Sequence, residues 1–363
     1  MTSRRSFLQA AAGGPIALPE FQPRSMLRVA EHPIRRAKFP VIDVHTHIFG
    51  LGRKIEPAGL ARISAWLDEC NVETALNLTG GSSATLPEIK KWTAPFGKKF
   101  LTAAEPAWAR ANEPGFPQWQ ADELAKCKRA GAQGLKVLKT LGLYLRDKGA
   151  LVKVDDRRFD PMWEAAGALG LPVFIHTADP AAFFTPTDRF NERYEELQNH
   201  PDWSFYGKDF PSKIALLEAR NRVIARHPKT KFVGLHVANY PEDLEMVSQW
   251  LARHRNLNVE IGARLGELGR QPRAARRFFE TFQDRILFGT DATPDGKAFP
   301  QQDLKPEMFR CYFRFLETED ENFDYSPAAV PPQGRWRIYG IALPDGILKK
   351  VYRENATRVL YHV

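Results

Sequence analysis

From about residue 38 the chain alternates between short apolar runs and longer helical patterns, and this alternation constrains the fold more than any other feature. Strands that alternate with helices form parallel sheets, because each helix returns the chain to the start of the next strand. Eight apolar runs are predicted as strands that end near His47, Leu78, Ala104, Leu138, His176, His236, Gly262 and Asp291. Eight such units in one domain predict an α/β fold, the closed (β/α)8 TIM barrel.

Two connections are longer than a simple repeat requires. His176 and His236 are 60 positions apart, whereas the other successive strand ends lie 26 to 38 residues apart. Residues 177–215 and 292–340 mix many aromatic side chains with charged ones. This composition predicts packed loops, and long loops at the carboxyl ends of barrel strands commonly build the active site or a subunit contact. We therefore expect long loops after strands 5 and 8.

Helix signals fill the intervals between the strands. Asp160 is predicted to cap a helix with Pro161 at its first position and Gly170 at its end. Another helix is predicted to begin at Pro241, and the last to cover residues 344–360.

The N-terminal segment differs from the rest of the chain. Residues 3–9 contain Arg4 and Arg5 followed by Phe-Leu, and residues 10–18 form a short, weakly apolar run. This pattern resembles a twin-arginine export signal, although the run contains Pro15 and no clear cleavage site. We predict a signal and N-terminal extension over residues 1–37, a barrel domain over residues 38–363, and a periplasmic or otherwise exported enzyme. A disordered basic tail on a cytoplasmic enzyme is the alternative.

The composition bears on the partners. The formal net charge is +9, but Lys and Arg are scattered among acids, so we expect a small-molecule substrate, for which an anion would suit the surplus charge, and no nucleic acid. No run of 18 apolar residues is present, so no membrane span is expected. Cys70, Cys127 and Cys311 have no motif spacing and predict no disulfide framework.

Polar side chains at the predicted strand ends indicate a metal site. His45 and His47 lie two positions apart on one strand, so both imidazoles point to the same side. Each histidine alone would be an ordinary core residue, but His176, His236 and Asp291 also follow apolar runs. The strand ends of a barrel converge, and these groups are ligands that Zn²⁺, Mn²⁺ or Fe²⁺ accepts. We predict a divalent metal, with zinc preferred over manganese or iron.

Taken together, these motifs resemble the amidohydrolase superfamily, and most of all the amidohydrolase-related branch that includes aminocarboxymuconate-semialdehyde decarboxylase. The matching segments are residues 42–47 (IDVHTH), 174–176 (FIH), 234–236 (GLH), 287–291 (LFGTD) and 348–356 (LKKVYRENA). The resemblance covers the chain from about residue 40 and is specific for fold and metal rather than for substrate.

The resemblance implies roles for these residues. His45, His47, His176 and Asp291 would bind the metal, and His236 would polarise the reacting carbonyl or move a proton. Metal binding can lower the pKa of a water molecule to about 7. Asp291 could accept that proton, and an uncoordinated His236 could stabilise an oxyanion.

Two lysines and an arginine extend this pattern. Lys136 and Lys139 flank the end of strand four, where two-metal members of the superfamily place a carbamylated lysine. Alternatively, one of these lysines binds a substrate anion or a nearby acid, and we favour a single metal. Arg264 follows strand seven and either clamps a substrate carboxylate or is an ordinary loop residue. Weaker candidates in the fifth loop are Asp188, Arg189 and Arg193.

Three functions fit the sequence. The first is hydrolysis of a small ester, lactone or amide, which the export-like segment favours. The second is non-oxidative decarboxylation of an unsaturated or aromatic carboxylic acid by the same ligands. The third, a binding protein on an enzyme scaffold, is disfavoured because every expected ligand is present. The aromatic eighth loop is a candidate contact for a homodimer.

Overall fold

The computed structural model describes residues 24–49, 56–207, 209–294 and 302–361. The chain divides into two compact units, Met1–Ala30 and Glu31–Val363. The export-like segment lies outside the described residues, so the signal, the boundary after residue 37 and the cellular location remain predictions.

Among the described residues of the larger unit, eight parallel strands alternate with eight helices that follow them, and shorter or additional helices lie in the connections. The strands are β1 (Val41–Thr46), β2 (Val72–Asn77), β3 (Phe100–Thr102), β4 (Leu135–Val137), β5 (Val173–Ile175), β6 (Phe232–Gly234), β7 (Leu257–Glu260) and β8 (Ile286–Leu287). The helices are α1 (Pro57–Glu69), α2 (Leu86–Thr93), α3 (Phe116–Ala130), α4 (Asp160–Ala168), α5 (Lys213–Arg226), α6 (Leu244–Arg253), α7 (Pro272–Thr281) and α8, which runs from Asp345–Lys349 through a π-helical segment, Lys350–Glu354, to Asn355–Tyr361.

The strands close into a ring. Hydrogen bonds join them in two runs, β1-β2-β3 and β8-β7-β6-β5-β4. A parallel bridge between Ala104 and Leu135 connects β3 to β4, and another between Thr46 and Ala292 connects β1 to the end of β8. At this second junction the His47 amide donates to the Ala292 carbonyl at 2.7 Å. The predicted (β/α)8 barrel is therefore confirmed.

The two sides of β1 have different surroundings. Every residue of β1 is buried, as expected for a strand covered on both faces. Ile42 and Val44 belong to an apolar cluster, whereas Asp43 and His45 are buried polar residues. Because alternate side chains point to opposite sides, His47 lies on the same side as these two. In the middle of β1 the pleat thus directs Asp43 and His45 to the side opposite Ile42 and Val44.

The predicted helices are present, but two of them begin differently from the prediction. A short 3₁₀ turn, Arg157–Phe159, precedes α4, and Asp156 rather than Asp160 caps it by accepting the Arg158 amide. Asp160 is instead occupied by ion pairs with Arg226 and His227, so its assignment as the cap was wrong.

The second correction concerns α6. Its cap is Asp243, which accepts the Met246 amide at 2.9 Å, so this helix begins at Leu244 rather than at Pro241. The side chains that α6 buries are Leu244, Val247, Trp250 and Leu251. This helical spacing is the pattern visible in the sequence.

The longest connections follow β5 and β8 and contain short elements of their own. The fifth connection includes the helix Tyr194–Asn199, and the eighth includes Pro306–Glu317. All three cysteines are free thiols. In the described part of the chain, no helix combines the length and apolar character that crossing a bilayer requires.

We expect Asn355→Ala to lower the free energy of unfolding by about 1–3 kcal/mol, because it leaves buried carbonyls without a donor. The fully buried Asn355 amide donates to the carbonyls of Gln283 and Ile286, both at 2.7 Å, and so fastens α8 beneath β8. Urea unfolding measures the effect. The matched control is Asn112→Ala, which removes exposed hydrogen bonds; an equal loss in both variants would contradict this account.

Candidate active site

Three side chains from opposite ends of the sequence meet where β1 joins the end of β8. The Nε2 atoms of His45 and His47 are 3.2 Å apart. Oδ1 of Asp291 lies 3.0 Å from Nε2 of His45 and 2.8 Å from Nε2 of His47. The Asp291 amide donates to the His45 carbonyl at 2.7 Å, so the backbone itself sets this approach.

This group fits a divalent metal. Two imidazole nitrogens and a carboxylate oxygen converge on one point, which is a donor set typical of zinc and similar ions. Burial lowers the pKa of His47 to about 4, which leaves its imidazole neutral at neutral pH. Burial raises the pKa of Asp291, but the neighbouring His45 and His47 outweigh this effect and hold it well below its usual range. Both side chains therefore carry available lone pairs.

His176 is brought into the same cavity but not into this three-residue group. Its Nε2 lies 3.1 Å from Oδ1 of Asp179, and burial lowers its pKa to about 4. Its ring centroid is 4.6 Å from that of His236. His176 thus lies next to the candidate ligands, and its part in metal binding remains a prediction.

His236 is held in one tautomer. Its Nδ1 lies 2.7 Å from the Gly262 carbonyl, which can only accept, so Nδ1 carries the proton and Nε2 keeps a lone pair. Burial, together with the charge of Arg264, holds the pKa of His236 well below its usual range. In this state the ring accepts a proton at Nε2, whereas stabilising an oxyanion from that atom would require a hydrogen on it.

The two strand-four lysines point to different neighbours. Lys136 is 1% exposed, and its Nζ lies 3.2 Å from Nε2 of His45; burial lowers its pKa to about 8. Lys139 instead pairs with Asp179, and its ammonium lies 5.8 Å from the centre of the Trp203 ring. Of the two lysines, only Lys136 therefore contacts the group formed by His45, His47 and Asp291.

A cavity of about 210 Å³ opens beside these groups. Aromatic side chains of the fifth loop, Phe183 and Trp203, form part of its wall together with Arg193 and Arg264. Glu196 and Glu267 neutralise Arg193. The buried Arg264 donates through Nη1 to the Ala263 carbonyl, and its Nε has no hydrogen-bond partner among the described residues.

Several side chains at the site had not been predicted. Gln302 donates to Oδ2 of Asp291, and the Tyr312 hydroxyl accepts the Ala263 amide at 2.8 Å. Asp179 joins His176 to Lys139, and Glu260 contacts His45 from beneath. An acid within the apolar run 257–261 was a visible signal for Glu260, whereas Gln302 and Tyr312 come from the long eighth connection, whose path the sequence does not reveal.

A family model described as "Amidohydrolase" matches residues 101–361, which is most of the chain. This chain belongs to the amidohydrolase family. The family assignment confirms the resemblance based on the strand-end motifs and identifies a metal-dependent enzyme. A search of curated protein sequences found no match.

Solved structures show the same fold for this amidohydrolase. A 2,6-dihydroxybenzoate decarboxylase from Rhizobium has a TM-score of 0.53 at 14% identity, covering 89% of this chain and 99% of its own. A manganese-bound 5-carboxyvanillate decarboxylase from Novosphingobium aromaticivorans has a TM-score of 0.52 at 13% identity, covering 89% and 97%. An uncharacterized TIM-barrel protein from Bordetella bronchiseptica has a TM-score of 0.51 at 15% identity, covering 89% and 99%.

We expect metal binding near pH 6.5 to release up to about one proton, and that proton comes from His45. Burial and Lys136 lower the pKa of His45, but the carboxylates of Asp291 and Glu260 more than offset them and the net shift is upward. His47 is already neutral above about pH 4. Calorimetry in buffers of different ionisation enthalpy counts the protons. Release of two or more, or of none, would contradict this assignment.

Proposed function

We propose that this amidohydrolase hydrolyses a small anionic ester, lactone or amide by means of one divalent metal, preferably zinc. The observation that carries the proposal is the convergence of His45, His47 and Asp291 within 2.8–3.2 Å at the barrel mouth. His176 is proposed as the fourth ligand because it lines the same cavity. When bound, a divalent metal supplies Lewis acidity that activates water and polarises a carbonyl group.

Two side chains are proposed to move protons. Asp291 is ionised, and Gln302 holds its Oδ2, so its carboxylate is oriented to take a proton from the attacking water. His236 is neutral with its lone pair on Nε2, and we propose that it passes the proton taken by Asp291 on to the leaving group; its lowered pKa makes it release that proton readily. The tautomer supports proton transfer by His236 over polarisation of the carbonyl.

Lys136 is the residue that distinguishes one metal from two. A carbamylated lysine forms from the neutral amine, and a pKa of about 8 makes the amine accessible near neutral pH. As an ammonium, the same side chain would attract a substrate anion. We retain the one-metal proposal, because the second convergent group, His45, His236 and Glu260, shares His45 with the first and its carboxylate already accepts two backbone amides.

Arg264 is proposed to bind the anionic group of the substrate. Its charge lies at the cavity wall, and Arg193 beside it is already matched by two glutamates. A planar guanidinium forms two parallel hydrogen bonds to a carboxylate. Phe183 and Trp203 provide a flat apolar wall for the rest of the molecule.

The second candidate function is non-oxidative decarboxylation of an aromatic carboxylic acid. The same aromatic wall favours it, since an arene carboxylate would place its ring against Phe183 and Trp203. The two reactions differ in product. Carbon dioxide release detected with a carboxyl-labelled substrate identifies decarboxylation, whereas a new acid group titrated at constant pH identifies hydrolysis.

Export by the twin-arginine route and a homodimer through the eighth loop are further proposals. Fractionation of the producing cells and the measured mass in solution test them separately.

We expect the purified enzyme to hold about one metal per chain by mass spectrometry, because the two convergent groups of candidate ligands share His45. His45→Ala should lose the metal, whereas His236→Ala should keep it, since His236 is not proposed as a ligand. About two metals per chain, falling with Lys136→Ala, would overturn the one-metal proposal. No metal in the wild-type enzyme after addition of zinc or manganese would overturn the proposed function.

We expect Arg264→Met to reduce kcat/KM for an anionic substrate by about 10- to 100-fold, because a charge-assisted hydrogen bond is lost. Steady-state kinetics on the acid and on its neutral amide measure the effect, which should be absent for the amide. The matched control is Arg189→Met in the exposed part of the fifth loop. An equal loss for the amide and the acid would exclude Arg264 as the anion-binding residue.

A further inference from the structure

The carboxylate of Glu260 lies beneath the proposed metal site, at the end of β7. The residue is fully buried, and three donors surround its two oxygens. Oε1 lies 3.1 Å from Nδ1 of His45 and accepts the His236 backbone amide at 2.6 Å. Oε2 accepts the Gly262 amide at 2.5 Å. A buried carboxylate with three donors is stable only as an ionised acceptor.

The contact with His45 fixes which nitrogen of that ring is available. Because a carboxylate accepts hydrogen bonds, Nδ1 carries a proton toward Glu260, which leaves Nε2 as the nitrogen that can bind a metal. Nε2 is the atom that faces Nε2 of His47 and Oδ1 of Asp291. Glu260 therefore selects the tautomer that a metal requires and orients the ring.

The contact with the His236 amide supports an unusual stretch of backbone. His236, Val237, Ala238 and Asn239 are consecutive residues with φ values of 56°, 56°, 52° and 57°. Left-handed backbone is unfavourable for residues other than glycine, and most of all for the β-branched Val237. Such a turn persists only where surrounding contacts enforce it. Here it holds the His236 ring with its centroid 5.0 Å from that of His45.

Space for the carboxylate comes from two glycines. A Cβ atom at Gly289 would lie 2.2 Å from Oε2 of Glu260, and one at Gly262 would lie 2.7 Å from the same oxygen. Both distances are far below van der Waals contact. Any larger residue at position 289 must displace the carboxylate from its three donors.

We propose that Glu260 is a positioning residue that acts on two functional histidines at once. It presents Nε2 of His45 to the metal, and it stabilises the left-handed turn that carries His236. The inference rests on the proposed metal site, because it assigns a role toward that ion. Glu260 would then determine metal affinity without contacting either the ion or the substrate.

The test compares zinc affinity, measured by competition with a chromophoric chelator, in the wild-type enzyme and three variants. Glu260→Gln keeps the shape but offers an amide N–H to groups that are themselves donors. We expect its dissociation constant for zinc to rise about 10- to 100-fold. Gly289→Ala removes no polar group and should also weaken zinc binding, because its methyl group displaces the carboxylate and presses on Cβ of His45.

The matched control is Asp320→Asn. Asp320 is another buried carboxylate, which accepts from His32 and Arg314 and is not a residue of the active site. Its loss should lower the melting temperature and leave the zinc dissociation constant unchanged. Equal weakening of zinc binding in Asp320→Asn and Glu260→Gln would show a general loss of stability and would overturn the positioning role.

The outcomes separate this inference from the proposed function. If the wild-type enzyme binds no metal, the proposed function fails and the inference fails with it. If the wild type binds zinc and Glu260→Gln binds it equally well, only the inference fails. If Glu260→Gln does not fold, nitrogen-15 spectra of histidine-labelled wild-type protein decide the question. In metal-free protein at a pH where the His45 ring is neutral, they should show the proton on Nδ1, and a neutral ring with its proton on Nε2 instead would overturn the inference.

Discussion

The hydrogen bonds that join β1 to the end of β8 determine the rest of this structure. The amides of His47 and Asp291 donate across this junction to Ala292 and His45. They close the barrel and, in the same step, bring the histidine pair against the aspartate. His45, His47 and Asp291 come from the first and last strands, so this group of three forms only when β1 and β8 are joined. A bound metal would in turn favour the closed barrel, because it binds the folded state alone.

Burial controls the chemistry of the site. Lys136, His47, His176 and His236 all have lowered pKa values, with burial as the largest cause. These nitrogens are therefore more readily neutral than they would be in water, and neutral nitrogens are what a metal or a proton acceptor needs. Carboxylates supply the compensating negative charge, so the barrel mouth places basic nitrogens beside fixed anions.

The sequence predicted the barrel and the histidines and aspartate at its mouth, but not most of the other residues that line the cavity. Strand ends were recognisable because each apolar run is short and is followed by a polar residue, and parallel strands place those ends together. His45, His47 and Asp291 converge in the structure, and His176 and His236 line the same cavity.

The sequence did not predict the direction in which individual side chains point. Lys136 and Lys139 differ by three positions, and the backbone path after β4 decides that one faces His45 and the other Asp179. Gln302 reaches Asp291 from a long connection, and such contacts depend on packing rather than on periodicity. The Asp160 cap was mistaken because ion pairs with α5 and its following residue compete for that carboxylate.

The close approach of Gly289 to Glu260 also constrains how such a site can evolve. A side chain at position 289 and a full-length acid at position 260 exclude each other sterically. Substitutions at the two positions should therefore occur together: a larger residue at position 289 should be accompanied by a shorter residue at position 260. Because Glu260 ends β7 and Gly289 follows β8, the pair would appear as a coupled signal between these neighbouring strands in related sequences.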